Sequence, residues 1–180
     1  MSSKPLIQTR RCLIRLAELT DLPMLMSYWT ANGHRYRPPL PDNLLTTSYW
    51  TKRTLAAQQD FAADKAYKFY VFDLKESEVM GTIAFYDVRK SNSQDCTLGY
   101  TIGGKHEGKS LMFESVSAAI QWVFVNQKLH CIKASHAIDN PRSGRLLDRL
   151  GFETVYIDEN ACRRQVELCN EQMLDKTGAS

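Results

Sequence analysis

The sequence of 180 residues lacks several features that mark large classes of proteins. Its most apolar helical segment is interrupted by Gln121 and Asn126, whereas a membrane-spanning helix needs roughly 20 apolar residues in a row. The first nine residues are polar and contain Pro5, so we expect no secretory signal peptide. Repeats, low-complexity segments and internal linkers are also missing, which predicts a single domain over residues 1–180.

The chain has few cysteines and a small net charge. The five cysteines are Cys12, Cys96, Cys131, Cys162 and Cys169. They form no C-x-x-C pair, so we expect free buried thiols in the reducing cytoplasm, and no metal. The net charge of +3 is too mild to indicate nucleic-acid binding, although it suits a polyanionic cofactor. We therefore expect a cytoplasmic protein that binds neither nucleic acid nor a membrane.

The most informative stretch is the glycine-rich turn GGKHEGKS at residues 103–110. Branched and aromatic side chains at residues 96–102 predict a strand before the turn. Apolar residues at three- and four-residue steps predict a helix after it. A helix start offers N–H groups and a positive dipole end to phosphates, and glycine lets them approach the backbone. The pattern favours a site for a phosphate-bearing cofactor, with an ordinary strand-to-helix turn as the alternative.

Residues 103–110 also match the P-loop pattern G-x-x-x-x-G-K-[ST] letter for letter. A P-loop NTPase needs a parallel sheet that continues after the loop, and a later apolar strand that ends in an acidic residue for Mg²⁺. The first strand-like run after the loop and its helix, residues 130–137, is not preceded by such a row of apolar residues before its acidic residue. We therefore interpret the P-loop match as coincidental.

The whole chain predicts a mixed α/β domain of order β-α-α-β-β-β-α-β-α-β-β. Strands are predicted over residues 9–16, 67–74, 79–88, 96–102, 130–137, 152–158 and 163–169. Asn140 followed by Pro141 predicts the start of the last helix, and Gly151 predicts its end. The proline-rich segment RYRPPLPD at residues 35–42 predicts a stiff loop, suited either to contacting a substrate or to a plain surface connection.

Two segments resemble the GNAT N-acetyltransferases, in particular the ribosomal-protein-alanine N-acetyltransferases of the RimJ and RimL type. They are LGYTIGGKHEGKSLMFES at residues 98–115 and NPRSGRLLDRLGFE at residues 140–153. The order of elements is similar too, and the resemblance covers residues 9–169. It implies the acyl-CoA N-acyltransferase fold: a central, mostly antiparallel sheet, splayed between strands 4 and 5 and flanked by about four helices.

The resemblance also implies acetyl-CoA as co-substrate and a set of site residues. The pantetheine arm would pair with the backbone of Tyr100, Thr101 and Ile102. The pyrophosphate would lie on the loop and the helix start, which comprise Lys105, His106, Glu107, Gly108, Lys109, Ser110 and Leu111. Asn140 would bond pantetheine, and Ser143 is the candidate general acid for the departing thiolate, although helix capping explains both. Apart from the resemblance, Arg35, Tyr36 and Arg37 of the proline-stiffened loop are the candidate substrate contacts.

The sequence departs from the family pattern at several positions. Ser110 stands where the family has Gly or Ala, Lys105 where it has Gln or Arg, and Leu147 where many members have a catalytic Tyr. The last hairpin is also a few residues shorter than in close relatives. The general base is left unassigned among Asp87, Asp95 and Glu107, while Glu114 is interpreted as an acid of a helix's first turn.

The function implied is acetylation of the N-terminal α-amine of a protein, with a ribosomal protein that begins with a small residue such as alanine as target. An α-amine has a pKa near 7.7–8.0 and a lysine near 10.4, so the α-amine needs less help from a base at neutral pH. Two alternatives remain: acetylation of a small amine such as a polyamine or antibiotic, and a CoA-binding, ribosome-associated module with little catalysis.

Overall fold

A computed structural model describes residues 6–36, 38–91, 93–160 and 162–170 of the chain. The eight described strands are β1 (Leu6–Gln8), β2 (Cys12–Leu16), β3 (Tyr67–Asp73), β4 (Val79–Arg89), β5 (Asp95–Ile102), β6 (Cys131–Ala137), β7 (Glu153–Asp158) and β8 (Arg163–Cys169). The four α-helices are α1 (Leu22–Asn32), α2 (Thr47–Ala62), α3 (Leu111–Gln127) and α4 (Pro141–Leu150). The predicted order is therefore confirmed, with one additional strand at the start.

The strands form one sheet in the order β1-β2-β3-β4-β5-β6-β8-β7. The pairs β1–β2, β2–β3, β6–β8 and β7–β8 are antiparallel, and β5–β6 is parallel. The described β5–β6 pairing joins residues 95–98 to residues 131–134 and stops there, before either strand ends. The prediction of a mostly antiparallel sheet that splays between these two strands is confirmed.

Backbone packing divides the described chain into two compact units, and the first comprises residues 6–84 and 100–119. Its core lies around α1 and α2, where the rings of Trp29 and Trp50 stack with centroids 4.7 Å apart. Tyr28 meets Trp29 edge-on at 5.2 Å, and both are buried. Such aromatic pairs contribute about 0.5–1.5 kcal/mol beyond the area that they bury. Helix α1 is packed into this core, and its last turns lie near the candidate site residues described below.

The second unit comprises residues 85–99 and 120–170. Its helix α4 begins as the sequence predicts: the side chain of Asn140 accepts a hydrogen bond from the Ser143 backbone N–H at 3.2 Å, and Pro141 occupies the first turn. Gly151 follows the helix with φ of 92°, a left-handed conformation that ends it. Leu147 is only 1% exposed, so its side chain packs α4 against the rest of this unit.

The predicted first strand, residues 9–16, is wrong in its extent. The Thr9 hydroxyl accepts hydrogen bonds from the backbone N–H groups of Arg11 and Cys12, at 3.3 and 3.0 Å. A local bond of this kind offers the backbone an alternative to a strand ladder. The segment therefore turns after Thr9, and β1 pairs back onto β2.

The expectation of five free buried thiols is also wrong. Cys131 and Cys169 form a disulfide, and Cys162 is exposed, whereas Cys12 and Cys96 are free and buried. Cys131 and Cys169 lie 38 residues apart in sequence but directly opposite each other in the β6–β8 ladder. Only the strand register brings them together, so their spacing gave no sign of the pairing.

A helix that spans a bilayer must be both long and apolar. Of the helices in the ranges that the structure covers, none combines the length and the apolar character needed to cross a membrane.

Candidate active site

The loop between β5 and α3, in the first unit, has a backbone suited to binding an anion. Gly108 and Ser110 have φ of 73° and 56°, both left-handed, and residues 108–110 are exposed. A Cβ added at Gly108 would meet nothing within 4 Å. Backbone N–H groups in turns of this kind form anion-binding concavities, and a helix start adds its positive dipole end. The residues present therefore fit a pyrophosphate group.

Arg11 holds this loop against the start of α3. Its backbone N–H and its Nε donate to the Glu114 carboxylate at 3.0 and 2.7 Å, and its Nη1 donates to the Lys109 carbonyl at 3.0 Å. Burial raises the pKa of Glu114, but hydrogen bonds from Thr9 and Arg11 outweigh it and hold that pKa below its usual value. Glu114 is thus an ionised structural acid, in agreement with its interpretation from sequence.

The side chains at the start of the loop are engaged with neighbouring elements. Lys105 forms an ion pair with Glu78, and Glu107 forms one with Arg35. His106 is buried, and its Nε2 lies 3.2 Å from Glu78 Oε1 without the alignment of a hydrogen bond. Burial lowers the pKa of His106 more than the charge of Glu78 raises it. These three side chains hold the start of the loop in place. Residues 108–110, which follow them, are exposed.

Thr101, near the end of β5, is the centre of a hydroxyl cluster formed by Tyr28, Tyr36, Thr82 and Thr101. The Tyr36 hydroxyl donates to Thr101 Oγ1 at 2.8 Å. The hydroxyls of Tyr28 and Thr82 share hydrogen bonds with the same atom at 2.9 and 2.8 Å. Burial raises the pKa of Tyr28 to about 12, and that of Tyr36 also rises well above its usual value. Both tyrosines therefore remain neutral hydroxyls at physiological pH.

The substrate loop predicted from sequence contacts the predicted cofactor segment. Tyr36 reaches Thr101 through the hydroxyl cluster, and the Arg35 guanidinium lies over Gly104, where a Cβ would collide with it. Arg37 lies outside the described residues. Tyr100 and Ile102, which flank Thr101 in β5, are partly exposed. Within the first unit, the structure thus brings together most of the residues that the sequence singled out.

Sequence reasoning missed several residues of this region. They are Tyr28, Asn32, Glu78 and Thr82. Asn32 Oδ1 accepts a hydrogen bond from the Gly104 N–H at 2.9 Å across 72 residues of sequence. Tyr28 and Thr101 are 73 residues apart. Because these contacts join distant segments, no local pattern in the sequence could have indicated them.

Asn140 and Ser143 lie in the second unit, at the start of α4. The Asn140 side-chain oxygen is occupied by the Ser143 N–H, so its amide nitrogen is the group that it can offer to a ligand. Asn140 is exposed and Ser143 is half-buried. Asn140 therefore caps the helix, and a second role in ligand binding would use its side-chain amide nitrogen.

Two of the three carboxylates considered as general bases, Asp95 and Glu107, are held in ion pairs. Asp95 accepts hydrogen bonds from Arg89 Nε and Lys133 Nζ, each at 2.6 Å. Burial raises the pKa of Asp95, but these bonds outweigh it and keep that pKa low. Glu107 is paired with Arg35, and Asp87 is exposed on left-handed backbone with φ of 52°. Asp95 and Glu107 are thus already engaged by cationic side chains.

Within the described ranges, one group of potential metal ligands lies close together. Its members are Cys131, Glu167 and Cys169. The two sulfurs of that group are bonded to each other. The expectation of no metal is not tested by this finding and stays a prediction.

Comparison with known proteins identifies the family. The acetyltransferase (GNAT) domain family matches residues 11–153, and the chain belongs to that family. It is therefore an acetyl-CoA-dependent N-acetyltransferase with relatives of the RimJ and RimL type. The [ribosomal protein uS5]-alanine N-acetyltransferase of Escherichia coli (strain K12) is 36% identical over 150 residues, which cover 82% of this chain and 77% of that protein.

Two solved structures share the fold. The ribosomal-protein-S5-alanine acetyltransferase from Vibrio fischeri has a TM-score of 0.83 at 22% identity, covering 93% of this chain and 97% of that one. Mycobacterium smegmatis RimJ, in complex with CoA-disulfide, has a TM-score of 0.83 at 14% identity, covering 94% of this chain and 88% of that one. Both likenesses confirm the fold predicted from the sequence.

Proposed function

We propose that this protein transfers the acetyl group of acetyl-CoA to the N-terminal α-amine of a ribosomal protein that begins with a small residue such as alanine. The observation that carries the proposal is the 36% identity, over 82% of the chain, to an enzyme named for acetylating an alanine of ribosomal protein uS5. The proposal includes a single acetyltransferase domain over residues 1–180, no metal, and action in the cytoplasm, where ribosomal proteins are made.

Acetyl-CoA would be held by two kinds of group. The backbone of Tyr100, Thr101 and Ile102 would pair with the pantetheine amides, and the Asn140 amide nitrogen would donate a further hydrogen bond. The N–H groups of residues 108–111 would bind the pyrophosphate, because residues 108–110 are exposed and the backbone is left-handed at Gly108 and Ser110. Lys105, His106 and Glu107 would support the loop through the contacts described above.

The acceptor would be bound by the loop of Arg35, Tyr36 and Arg37. Its basic residues disfavour a polycationic amine, because like charges repel. Tyr36 ties the loop to β5 through a hydroxyl cluster whose tyrosines stay neutral. The hydroxyl cluster beside this basic loop is polar and uncharged, which suits the amide groups of a peptide.

The chemistry is attack of a neutral amine on the thioester carbonyl. The carbonyl oxygen becomes negative in the transition state, and backbone N–H groups at the end of β5 would stabilise it. An α-amine is neutral to about a tenth at pH 7, a far larger fraction than for lysine. The Ser143 hydroxyl would give a proton to the departing CoA thiolate as a general acid.

The proposal is tested by acceptor profiling with purified protein and acetyl-CoA. Short peptides that begin with alanine are compared with spermidine and with aminoglycosides at equal concentration. We expect the peptides to be acetylated with the highest kcat/KM. Faster acetylation of a small amine would contradict the proposed acceptor, and CoA binding without acetylation of any amine would contradict catalysis.

A further inference from the structure

His136 is a buried titratable side chain that the mechanism above does not use. It is the sixth residue of β6, is 7% exposed, and precedes Asn140 by four residues. Its imidazole lies against the first turn of α4: a Cβ added at Gly144 would be 3.0 Å from Cε1 and 3.2 Å from Nε2. Glycine at position 144 therefore makes room for the ring.

The hydrogen bonding of the ring determines which nitrogen is available. Nδ1 lies 2.8 Å from the carbonyl oxygen of Ala137, a contact that requires a proton on Nδ1. The neutral ring then has its lone pair on Nε2, which is buried and has no hydrogen-bond partner among the described residues. Buried polar atoms are nearly always satisfied, so this nitrogen is suited to meet a polar atom of a bound substrate.

The turn of α4 above His136 is the one already proposed to face the sulfur of acetyl-CoA. The Gly144 N–H donates to the Asn140 carbonyl at 3.3 Å, and Ser143 immediately precedes Gly144. The candidate carboxylate bases Asp95 and Glu107 are held in ion pairs, whereas His136 Nε2 is not. We propose that His136 is the general acid–base of acetyl transfer; this inference rests on the proposed function and deepens it.

The proton balance of this step is complete without a further reactant. As the amine nitrogen bonds to the acetyl carbon, His136 Nε2 takes the proton that the amine gives up. The C–S bond then breaks, and the Ser143 hydroxyl gives its proton to the sulfur. The imidazolium of His136 restores the serine proton. The products are an amide and a thiol, and both side chains return to their starting state.

Charged groups near His136 come from the two elements packed beside it. Arg164 of β8 is its register partner, and the Arg164 guanidinium donates to Asp148 Oδ1 of α4 at 2.8 Å and to Thr154 Oγ1 at 2.6 Å. The remaining charged residues on or next to α4 are exposed: Asp139, Arg142, Arg145 and Arg149. The Arg164 guanidinium and the Asp148 carboxylate form an ion pair, so these two opposite charges lie together.

The test replaces His136 by glutamine, which still accepts a hydrogen bond but takes no proton. We expect His136→Gln to lower kcat by about 100-fold or more, with the Kd for acetyl-CoA changed by less than about threefold. The dependence of kcat on pH should also become weaker in this variant, because glutamine takes no proton. His130→Gln, at an exposed histidine just before β6, is the matched control and should keep the wild-type rate and profile.

Gly144→Ala supplies a second variant should His136→Gln fail to fold. Its Cβ would displace the ring, so kcat should fall with acetyl-CoA affinity retained. A kcat within threefold of wild type and an unchanged pH profile in either variant would overturn the inference. Should the wild type acetylate only a small amine, the proposed acceptor fails, and the same comparison made with that amine decides the role of His136.

Discussion

The starts of helices α3 and α4, each of which carries candidate site residues, are built differently. Before α3, residues 108–110 are exposed, and the backbone is left-handed at Gly108 and Ser110. Before α4, Asn140 accepts a hydrogen bond from the Ser143 N–H at 3.2 Å, and Pro141, which has no N–H, follows it. The start of α3 exposes its backbone to a ligand. At the start of α4, the Ser143 N–H is already hydrogen-bonded to the Asn140 side chain.

This difference assigns separate tasks to the two helix starts. Open backbone N–H groups and a dipole end suit a polyanion that stays bound through the reaction. A capped start provides a fixed frame for side chains, because the cap holds the first turn in place. We therefore expect changes before α3 to act on affinity for CoA, and changes at α4 to act on the rate of acetyl transfer.

The largest effect should come from Gly108→Asp. A carboxylate on the exposed loop would repel the pyrophosphate at the helix start, so the Kd for CoA should rise by about 100-fold or more. Isothermal titration calorimetry measures it directly. Gly108→Asn is the matched control, since asparagine has the same size, carries no charge and tolerates positive φ. Equal losses of affinity in the two variants would mean that strain, not charge, is responsible.

A smaller effect is expected at α4 from Ser143→Ala. The backbone N–H that Asn140 caps is retained in alanine, so the helix should stay formed. Loss of a hydroxyl that acts only in the transition state should lower kcat and kcat/KM together by about tenfold. Steady-state kinetics with varied acetyl-CoA measure both, and Ser143→Thr should restore much of the rate. A lower melting temperature with unchanged kcat would assign Ser143 to helix structure alone.

The smallest effect is expected from Ser110→Gly. A non-glycine residue in left-handed backbone costs about 1–2 kcal/mol, part of which glycine loses again to the entropy of the unfolded chain. The free energy of unfolding should therefore rise by about 0.5 kcal/mol, which urea denaturation can resolve. Ser110→Ala keeps the strained φ and should show no gain. A destabilised Ser110→Gly would mean that the serine hydroxyl stabilises the loop.

Local patterns in the sequence predicted the elements that local forces determine. The cap at Asn140, the left-handed stop at Gly151 and the turn-to-helix change after residue 110 are all set by neighbouring residues. The fold followed from their order together with the resemblance. The left-handed φ of Ser110 also gives a physical reason for the Gly, although not for the Ala, that the family has at this position.

Contacts between distant segments could not be predicted in this way. The Cys131–Cys169 disulfide depends on the β6–β8 register, and the hydroxyl cluster on Thr101 joins positions 19 to 73 residues away. The alternating burial along β6 places His136 at a buried position of the strand. Only the structure shows that Gly144 lies against the ring, and that Nε2 has no hydrogen-bond partner among the described residues.

The most direct test of the account uses one peptide that carries both kinds of amine. A peptide that begins with alanine and contains one internal lysine is incubated with the enzyme and acetyl-CoA at pH 7, and tandem mass spectrometry locates the acetyl group. The neutral fraction of an α-amine exceeds that of lysine by about two orders of magnitude at this pH. We predict acetylation of the alanine nitrogen, with the lysine nearly unmodified. Equal or faster acetylation of the lysine side chain would contradict N-terminal specificity.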